Sequence, residues 1–392
     1  MVRDGLWWWS DVVKLWTHWA TSSQLTSVRL PRHDGGTSIE GEPLGRAQRG
    51  GPFVFDPFDL YAAGRVTSPN VTVLGALGSG KSTVVKMMVS RGLARQRRAV
   101  ILDPKSEYRD LARAFDGSVV ALGSDAWCNP FTGEPVADLG FLVSLLATTR
   151  NAPLDDVQRA QLEQLWLDSR AASTPRPMTT LFDQLRRHDD ESSRSLAATV
   201  RRFVNGDLAG VLDGDGEPRV LSGAVVVLDM SRWWLSDSVA VLALIAWRIA
   251  ETALGSSAHR GYIVIDEAWA LLQNEFATRW LQGSWKLARS RGIAHVAVVH
   301  RLGDTEGASS AVAARAKGLL KDADNFVILR HLEGDALALR DELGLVALEV
   351  SYLPQLPRGV GLIRYGPARS IVEFQPTEAD RAIIDTDQAM RG

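Results

Sequence analysis

Residues 75–82, GALGSGKS, restrict the possible folds of this chain more than any other part of its sequence. They match the pattern G-x-x-x-x-G-K-[ST], in which glycines let the backbone amides of a loop turn inward around an anion. The apolar run VTVLG (71–75) precedes the loop, and STVVKMMVSRGLA (82–94), which has helical spacing, follows it. Because the positive end of that helix faces the same anion, this arrangement predicts a phosphate-binding loop.

Two side chains of this loop are candidates for nucleotide chemistry. Lys81 is expected to bridge the β- and γ-phosphates, and the Ser82 hydroxyl is expected to ligate Mg²⁺. The residues expected to bind the cofactor are Gly75, Ala76, Leu77, Gly78, Ser79, Gly80, Lys81, Ser82 and Thr83. The loop therefore predicts ATP and Mg²⁺ as cofactors.

The composition excludes several other classes of protein. The 392 residues carry a net charge of −2, are 45% hydrophobic and include a single cysteine, Cys128. One cysteine excludes an internal disulfide framework and a cysteine-rich zinc site, and the near-neutral charge argues against a wholly basic nucleic-acid coat protein. No segment reaches the roughly 18 uninterrupted apolar residues of a membrane-spanning helix. We therefore expect a soluble, cytoplasmic protein.

Six short apolar runs predict the strands of a mostly parallel sheet. They are unbroken, rich in β-branched residues and followed by polar turns, as expected for strands that are covered on both faces. The runs are VTVLG (71–75), AVILD (99–103), AVVVLD (224–229), YIVID (262–266), HVAVVH (295–300) and NFVILR (325–330). Helical segments separate most of them, so the predicted fold is α/β with a doubly wound sheet. A closing β-hairpin is expected over residues 359–377.

Composition and periodicity divide the chain into five predicted parts. No strand signal occurs between residues 135 and 212, where the apolar spacing is helical. The parts are a Trp-rich amphipathic helix with a linker arm (1–52), the first part of the α/β core (53–134), an inserted all-helical subdomain (135–215), the second part of the core (216–376) and a C-terminal helix and tail (377–392). Thr377 is the expected N-cap of that last helix.

The first twenty residues leave two interpretations open. Trp9, Val12, Val13, Trp16 and Trp19 fall at helical spacing and give this helix an apolar face. That face either packs against the protein's own domain or a neighbouring subunit, or it lies in a membrane interface or on a membrane-bound partner. Peripheral association with the cytoplasmic face of the inner membrane follows from the second interpretation.

Two consecutive carboxylates, Asp266 and Glu267, end the apolar run YIVID and begin the segment DEAW. Carboxylates at the carboxyl end of a parallel strand lie at the sheet edge where ligands of open α/β folds bind. We expect Asp266 to hold Mg²⁺ through its hydration shell and Glu267 to polarise the attacking water.

Four polar residues after other strands are weaker candidates, each with a plainer structural interpretation. Asp103 is a candidate for contact with the nucleotide, although Asp-Pro also begins simple turns. In the same loop, Lys105 or Glu107 is a candidate for contact with a neighbouring subunit or a cargo. His300 is a candidate sensor of the γ-phosphate, whereas a histidine at a strand end is often only structural. His295, in the same strand, is expected to be a packing residue.

The segment WKLARSRG (285–292) offers a candidate arginine finger. Lys286, Arg289 and Arg291 end a helix before the strand HVAVVH, where cations also stabilise the helix dipole. The sharper interpretation is that one of the arginines reaches the γ-phosphate of an adjacent protomer.

Together these segments resemble the HerA/FtsK-like branch of P-loop ATPases, and specifically the VirB4/TraC ATPases of type IV secretion and conjugation. They occur in the family's order over roughly residues 53–377. The segments are GALGSGKS (75–82), DPKSEY (103–108), NPF (129–131), FVNGDLAGVLDG (203–214), VVVLDMS (225–231), DEAWALL (266–272) and the K-x-x-R and HRxxD segments (286–304).

This resemblance implies a RecA-like core with an inserted helical domain, assembled as a hexamer with ATP between subunits. By motif position it makes Arg289 the arginine-finger candidate and Glu267 the residue that activates water. His300 departs from the glutamine that the family usually has, and Ser106 replaces the glycine of DPKGEY. The implied partners are further copies of the chain, components of a type IV secretion or conjugation apparatus, and DNA.

Three functions are compatible with these residues. The leading hypothesis is an ATP-hydrolysing motor of the VirB4/TraC type that energises conjugative transfer or type IV-like secretion. The second is a DNA translocase or coupling-type ATPase of the HerA/FtsK/VirD4 kind, which DNA would stimulate. The third is a nucleotide-gated scaffold that binds ATP without useful hydrolysis, which multiple turnover would exclude.

Overall fold

The structure, a computed structural model, describes most of the chain. The described residues are 39–48, 51–123, 128–169, 174, 176–214, 221, 223–234, 236–255, 260–300, 314, 317–318 and 321–384. The predicted helix of residues 1–20, the linker up to residue 38 and the HRxxD residues 301–304 lie outside them, as does the tail from residue 385 onward.

All strands of the described residues belong to one eleven-stranded sheet. In chain order they are β1 (Gly45–Ala47), β2 (Pro52–Phe53), β3 (Val71–Leu74), β4 (Arg98–Asp103), β5 (Ser118–Ala121), β6 (Val225–Asp229), β7 (Gly261–Ile265), β8 (Ile293–Val299), β9 (Asn325–Ile328), β10 (Val360–Tyr365) and β11 (Ala368–Phe374). Their order across the sheet is β2-β1-β11-β10-β9-β3-β8-β7-β4-β6-β5. The strands from β9 to β5 are parallel, and β10, β11, β1 and β2 extend the sheet with antiparallel pairs.

The helices of the described residues connect and cover these strands. They are α1 (Pro57–Ala62), α2 (Lys81–Ala94), α3 (Arg109–Ala114), α4 (Pro135–Arg150), α5 (Asp156–Ser169), α6 (Pro177–Leu185), α7 (Glu191–Asn205), α8 (Val239–Gly255), α9 (Trp269–Leu272), α10 (Glu275–Leu287), α11 (Glu333–Leu343), α12 (Ala347–Tyr352) and α13 (Glu378–Ile384). None of these helices combines the length and the apolar character that crossing a bilayer requires.

Both faces of the parallel strands are buried, which explains their unbroken apolar sequences. Successive side chains alternate between two cores: Val226 of β6 lies in one, whereas Val225 and Val227 lie in the other. Helices α2 and α3 contribute to the second core, and α4 to α8 together with α10 contribute to the first. The predicted doubly wound α/β fold is therefore confirmed.

The six predicted strands are observed as β3, β4, β6, β7, β8 and β9. The predicted hairpin is formed by β10 and β11, with Pro367 in the turn between Tyr365 and Ala368. Three strands were not predicted: β1, which lies within the predicted linker arm, β2, which spans the predicted boundary between that arm and the core, and β5. The first two are very short, and β1 is a strand because it pairs with the distant β11 (Gly45 with Phe374). A local pattern does not show such a pairing.

Helices α4 to α7 follow β5 and precede β6, within the segment predicted to be an inserted helical subdomain. Helix α4 contacts α10 through the rings of Phe141 and Trp280, whose centroids are 5.5 Å apart. Arg248 of α8 pairs with Asp138 of α4 at 3.2 Å, and both side chains are buried. These contacts attach the helical segment to the face of the sheet, whereas the domain boundaries remain a prediction.

Helix α13 packs against the helix that follows the phosphate-binding loop. Arg91 of α2 donates two hydrogen bonds to Asp380, at 2.5 and 2.7 Å. Thr377 is the N-cap, as predicted, because its hydroxyl accepts a hydrogen bond from the Asp380 amide at 3.3 Å. The end of the described chain is thereby attached to α2.

His295 of β8 lies in the core between two tryptophans, as expected for a packing residue. Its ring stacks on Trp247 of α8 and Trp285 of α10, at centroid distances of 4.5 and 5.2 Å. Neither ring nitrogen has a hydrogen-bond partner among the described residues. Burial, with a smaller contribution from Arg291, lowers the pKa of His295 to about 3, so the ring is neutral.

Candidate functional site

The order of the strands brings four segments to one edge of the sheet. β8 lies between β3 and β7, and β4 lies on the other side of β7. Because these strands are parallel, the residues that follow their carboxyl ends share one edge. The segments are the loop 75–80 after β3, the loop 104–108 after β4, residues 266–267 after β7 and His300 after β8.

The loop after β3 leads directly into the fourteen-residue helix α2. Gly80, the N-cap, has a φ of 101°, in the left-handed region that glycine adopts without strain, and no side chain caps the helix. Gly75 is required by close packing, since a Cβ there would lie 2.5 Å from Oγ of Ser79 and 2.9 Å from Cβ of Leu329. The first turn of α2 therefore presents its amide N–H groups at the sheet edge, as an anion-binding site requires.

Lys81, the first residue of α2, connects the loop to the end of β8. Its Nζ donates hydrogen bonds to the carbonyl oxygens of Gly75 at 2.8 Å and Ala76 at 3.2 Å, and it lies 2.8 Å from Nδ1 of His300. An ammonium group can only donate, so Nδ1 is the acceptor and the neutral imidazole carries its proton on Nε2. That Nε2 lies 3.1 Å from Oε1 of Glu267, to which it donates.

Glu267 is held in an unusual conformation, with a φ of 52°. Its side chain is 5% exposed and accepts hydrogen bonds from Lys105 and His300 and, at 2.7 Å, from Nε1 of Trp269. Burial alone would raise the pKa of Glu267, but the hydrogen bonds from His300 and Lys105 outweigh it and lower the pKa to about 2. Glu267 is therefore an oriented anion at neutral pH.

Asp266, its neighbour, is buried without a cationic hydrogen-bond donor among its described contacts. Burial, followed by the negative charges of Glu267 and Glu107, raises the pKa of Asp266 to about 7. A nearby cation would favour the ionised form of such a carboxyl group. With the Ser82 hydroxyl at the start of α2, Asp266 provides the hard oxygen donors that Mg²⁺ prefers; this ion usually takes one or two protein oxygens in addition to phosphate and water. These two residues fit the predicted metal.

Asp103 organises the loop after β4. Its carboxylate accepts hydrogen bonds from the amides of Lys105, Glu107 and Tyr108, at distances between 2.9 and 3.2 Å. Burial raises the pKa of Asp103, and the three amides oppose that effect. Since the described hydrogen bonds of its carboxylate are all to this loop, direct contact between Asp103 and a nucleotide stays a prediction.

Arg289 and Arg291 lie at the opposite edge of the sheet. They form a short 3₁₀ turn just before β8, whose seven residues span about 23 Å at 3.3 Å per residue. Arg291 pairs with the buried Glu251 at 2.9 Å. Arg289 donates a hydrogen bond to the Thr67 carbonyl at 3.3 Å and lines a cavity of about 200 Å³ that also includes Lys286. Neither arginine reaches the loop of its own chain.

The structure thus brings Lys81, His300 and Glu267 into contact and leaves Arg289 apart from them. The expectation that Lys105 or Glu107 faces a neighbouring subunit or a cargo stays a prediction; within the chain, Nζ of Lys105 donates to Glu267, a contact that the sequence did not predict. Trp269, as a donor to Glu267, was also missed. The sequence indicated that the loop after β4 and the segment DEAW each follow a strand. Only the strand order in the sheet shows that these two strands, β4 and β7, are adjacent.

Residues 63–231 match the family model described as the central domain of the helicase HerA. No curated protein sequence matches the chain. The solved structure of VirB4 of Thermoanaerobacter pseudethanolicus is similar, with a TM-score of 0.73 and 21% identity over 87% of this chain and 98% of that chain.

The plasmid coupling protein TrwB is also similar in fold. Its complex with the non-hydrolysable ATP analogue ADPNP gives a TM-score of 0.58 and 17% identity, over 92% of this chain and 94% of that chain. Its complex with ADP and Mg²⁺ gives a TM-score of 0.57 and 18% identity, over 87% of this chain and 90% of that chain. The match to HerA and these folds confirm the predicted resemblance to HerA/FtsK-like P-loop ATPases and, at the level of the fold, to VirB4.

Proposed function

Starting from a chain that contains a HerA-type central domain and has the fold of VirB4, we propose an ATP-hydrolysing motor that energises conjugative transfer or type IV-like secretion. The motor works as a hexamer with ATP between neighbouring subunits. The single observation that supports hydrolysis best is the line of contacts from Lys81 through His300 to Glu267. It joins the phosphate-binding loop to an oriented carboxylate at the same sheet edge.

In this proposal the loop and α2 bind the triphosphate. The amides of residues 75–83 and the Lys81 ammonium group face the β- and γ-phosphates, and a phosphate oxygen that accepts from Lys81 replaces one of its present acceptors. Ser82 and Asp266 would hold Mg²⁺, Asp266 through water. When bound there, Mg²⁺ would supply positive charge that offsets the charge developing on the phosphate oxygens.

Glu267 orients the attacking water. A carboxylate whose pKa is about 2 is a weak base, so hydrogen bonding that fixes the direction of attack is its main contribution. His300, between Glu267 and Lys81, is placed to respond to the γ-phosphate. We therefore assign it the sensor role that glutamine has in the family.

Arg289 acts as the arginine finger of the neighbouring subunit. Its position at the far end of β8 supports action in trans, because it lies about 23 Å from the loop edge of its own chain. Arg291 is a weaker candidate, since its guanidinium is already paired with the buried Glu251.

The partners of the motor follow from the same proposal. They are further copies of the chain and components of a type IV secretion or conjugation apparatus at the cytoplasmic face of the inner membrane. Residues 1–20 would provide a peripheral membrane or partner contact. The helical segment 135–215 would form an inserted helical subdomain of each subunit.

The test of this function is multiple-turnover phosphate release from ATP and Mg²⁺, with native mass measured under the same conditions. We expect many phosphates released per subunit and a hexameric mass, and we expect Lys81→Ala to abolish release. Arg279→Ala is the control, because Arg279 is an exposed residue of α10 that pairs only with Glu275 among its described contacts. Binding of ATP without turnover would contradict the motor and favour a nucleotide-gated scaffold.

The HerA match favours a second candidate, a DNA translocase or coupling-type ATPase. The ATPase rate with and without single- and double-stranded DNA separates the two. Stimulation that falls steeply with salt concentration would favour translocation along DNA, because phosphate contacts release counterions. A rate that is indifferent to DNA would favour the secretion motor.

A further inference from the structure

Lys105 reaches Glu267 because the loop after β4 has a fixed shape. Asp103 ties the loop amides of residues 105, 107 and 108 to the end of the strand. Ser106 adopts a φ of 61° and donates a hydrogen bond from its hydroxyl to Asp229 at 2.9 Å. Arg109, at the start of α3, pairs with the same carboxylate at 2.6 Å. The loop is therefore fastened at both ends, and Lys105 lies between the two attachments.

The Lys105 side chain is itself confined. Its Nζ lies 5.8 Å from the centre of the Trp234 ring, and that ring meets Trp269 edge to face at 5.2 Å. Trp269 in turn donates its indole N–H to Glu267. Lys105 and Trp269 thus both donate to the Glu267 carboxylate, and Trp234 contacts each of them.

Glu267 needs such contacts. Its positive φ is a conformation that residues with a Cβ adopt at a cost, so surrounding contacts must maintain it. Its carboxylate is nearly buried, and of its contacts with Lys105 and His300 only the one with His300 leads toward the phosphate-binding loop. Removing the Lys105 contact would leave the carboxylate with side-chain donors from His300 and Trp269 alone among its described contacts, and so less firmly held.

We propose that Lys105 is a positioning residue for hydrolysis: it fixes the Glu267 carboxylate for attack by water without touching the nucleotide. This inference rests on the proposed ATPase function. It assigns to the loop DPKSEY a role in the rate of the chemical step, and it predicts that Lys105 contributes little to nucleotide affinity.

The experiment compares Lys105→Met and Lys105→Arg with the wild type by steady-state ATP hydrolysis. Methionine keeps most of the aliphatic length and removes the donor, so kcat should fall about 10- to 100-fold, as for other residues that orient a catalytic group, while KM changes less than about twofold. Arginine keeps the positive donor and should restore kcat to within about fivefold of the wild type.

The matched control is Lys321→Met. Lys321 also pairs with a glutamate, Glu342, and is exposed to a similar extent, 40% against 30% for Lys105. It should leave kcat and KM unchanged. Thermal unfolding of all variants checks that Lys105→Met is folded; a loss of activity with an unfolded protein would shift the comparison to Lys105→Gln.

A second comparison tests whether Lys105 acts through Glu267. In the Glu267→Gln background, Lys105→Met should cause no further loss of residual turnover, because residues that act as a unit are not additive. An unchanged kcat for Lys105→Met, a rise in KM alone, or a full additional loss in the double variant would each overturn the proposal. If the wild type itself releases no phosphate, the proposed function fails and this inference fails with it. If the wild type turns over normally but the Lys105 variants do not behave as predicted, only the inference about Lys105 fails.

Discussion

Nδ1 of His300 lies 2.8 Å from Nζ of Lys81, and Nε2 of the same ring lies 3.1 Å from Oε1 of Glu267. One imidazole therefore connects the lysine of the phosphate-binding loop to the carboxylate after β7. A phosphate that draws Lys81 away from His300 changes the hydrogen bonding of the ring, and the ring is in contact with Glu267. This contact offers a physical route from nucleotide binding to the position of Glu267.

Replacement of His300 tests this route. Glutamine has both an amide oxygen that can accept from Lys81 and an amide N–H that can donate to Glu267, whereas alanine has neither. We expect His300→Gln to retain ATP turnover within about fivefold and His300→Ala to lose about 10- to 100-fold in kcat. Steady-state phosphate release checks both. Equal activity of the two variants would show that the ring contacts do not matter.

The position of Arg289 predicts complementation between two inactive variants. Arg289→Ala should lose about 10³-fold or more in turnover, as is typical for an arginine finger. Lys81→Ala should also be inactive but retains Arg289. When the two are mixed and allowed to exchange subunits, an intact loop meets an intact arginine at some interfaces, so activity should appear.

The control for that mixture is Arg279→Ala, which should be active alone. Native mass must show that both inactive variants assemble and exchange. Mixed assemblies that remain inactive would contradict a finger contributed in trans.

His295 predicts a specific dependence of stability on pH. Its folded pKa, about 3, lies below the unfolded value near 6.5, so between these values the unfolded state binds more protons. The contribution of His295 to the free energy of unfolding is therefore fully present above about pH 6.5. It decreases with acidification, by about 2 kcal/mol at pH 5.

Replacement of His295 by phenylalanine should remove this pH-dependent contribution to stability. His295→Phe keeps an aromatic ring between Trp247 and Trp285 and has no unpaired ring nitrogen, so it should be as stable as the wild type at pH 7.5 and more stable at pH 5. Urea unfolding at the two pH values measures the difference. Parallel loss of stability in both proteins would contradict the assignment.

Much of the fold could be predicted because the information was local. The run YIVID was recognisable as a buried strand from its own residues, and GALGSGKS carried the loop and the start of α2. β1 could not be recognised, because its three residues form a strand by pairing with the very short β2 and with β11, which is distant in sequence.

The same difference between local patterns and contacts of distant segments applies to the candidate site. Asp266, Glu267 and Lys81 were identifiable from their spacing within motifs. Lys105 was a candidate for another role, and its contact with Glu267 could not be predicted, because it joins the ends of two strands that are distant in sequence. His300 was a candidate by its place at a strand end. Its contact with both Lys81 and Glu267 required the position of β8 between β3 and β7.

The most direct test of the central claim is the behaviour of Glu267→Gln. Glutamine preserves the size of the side chain and removes its charge, so the variant should bind ATP and Mg²⁺ with an affinity close to that of the wild type. Its multiple-turnover phosphate release should fall at least about 100-fold, which is within the range for a group that assists proton transfer or orients a nucleophile. Binding of ATP with undiminished phosphate release would contradict the assignment of Glu267 and the mechanism built on it.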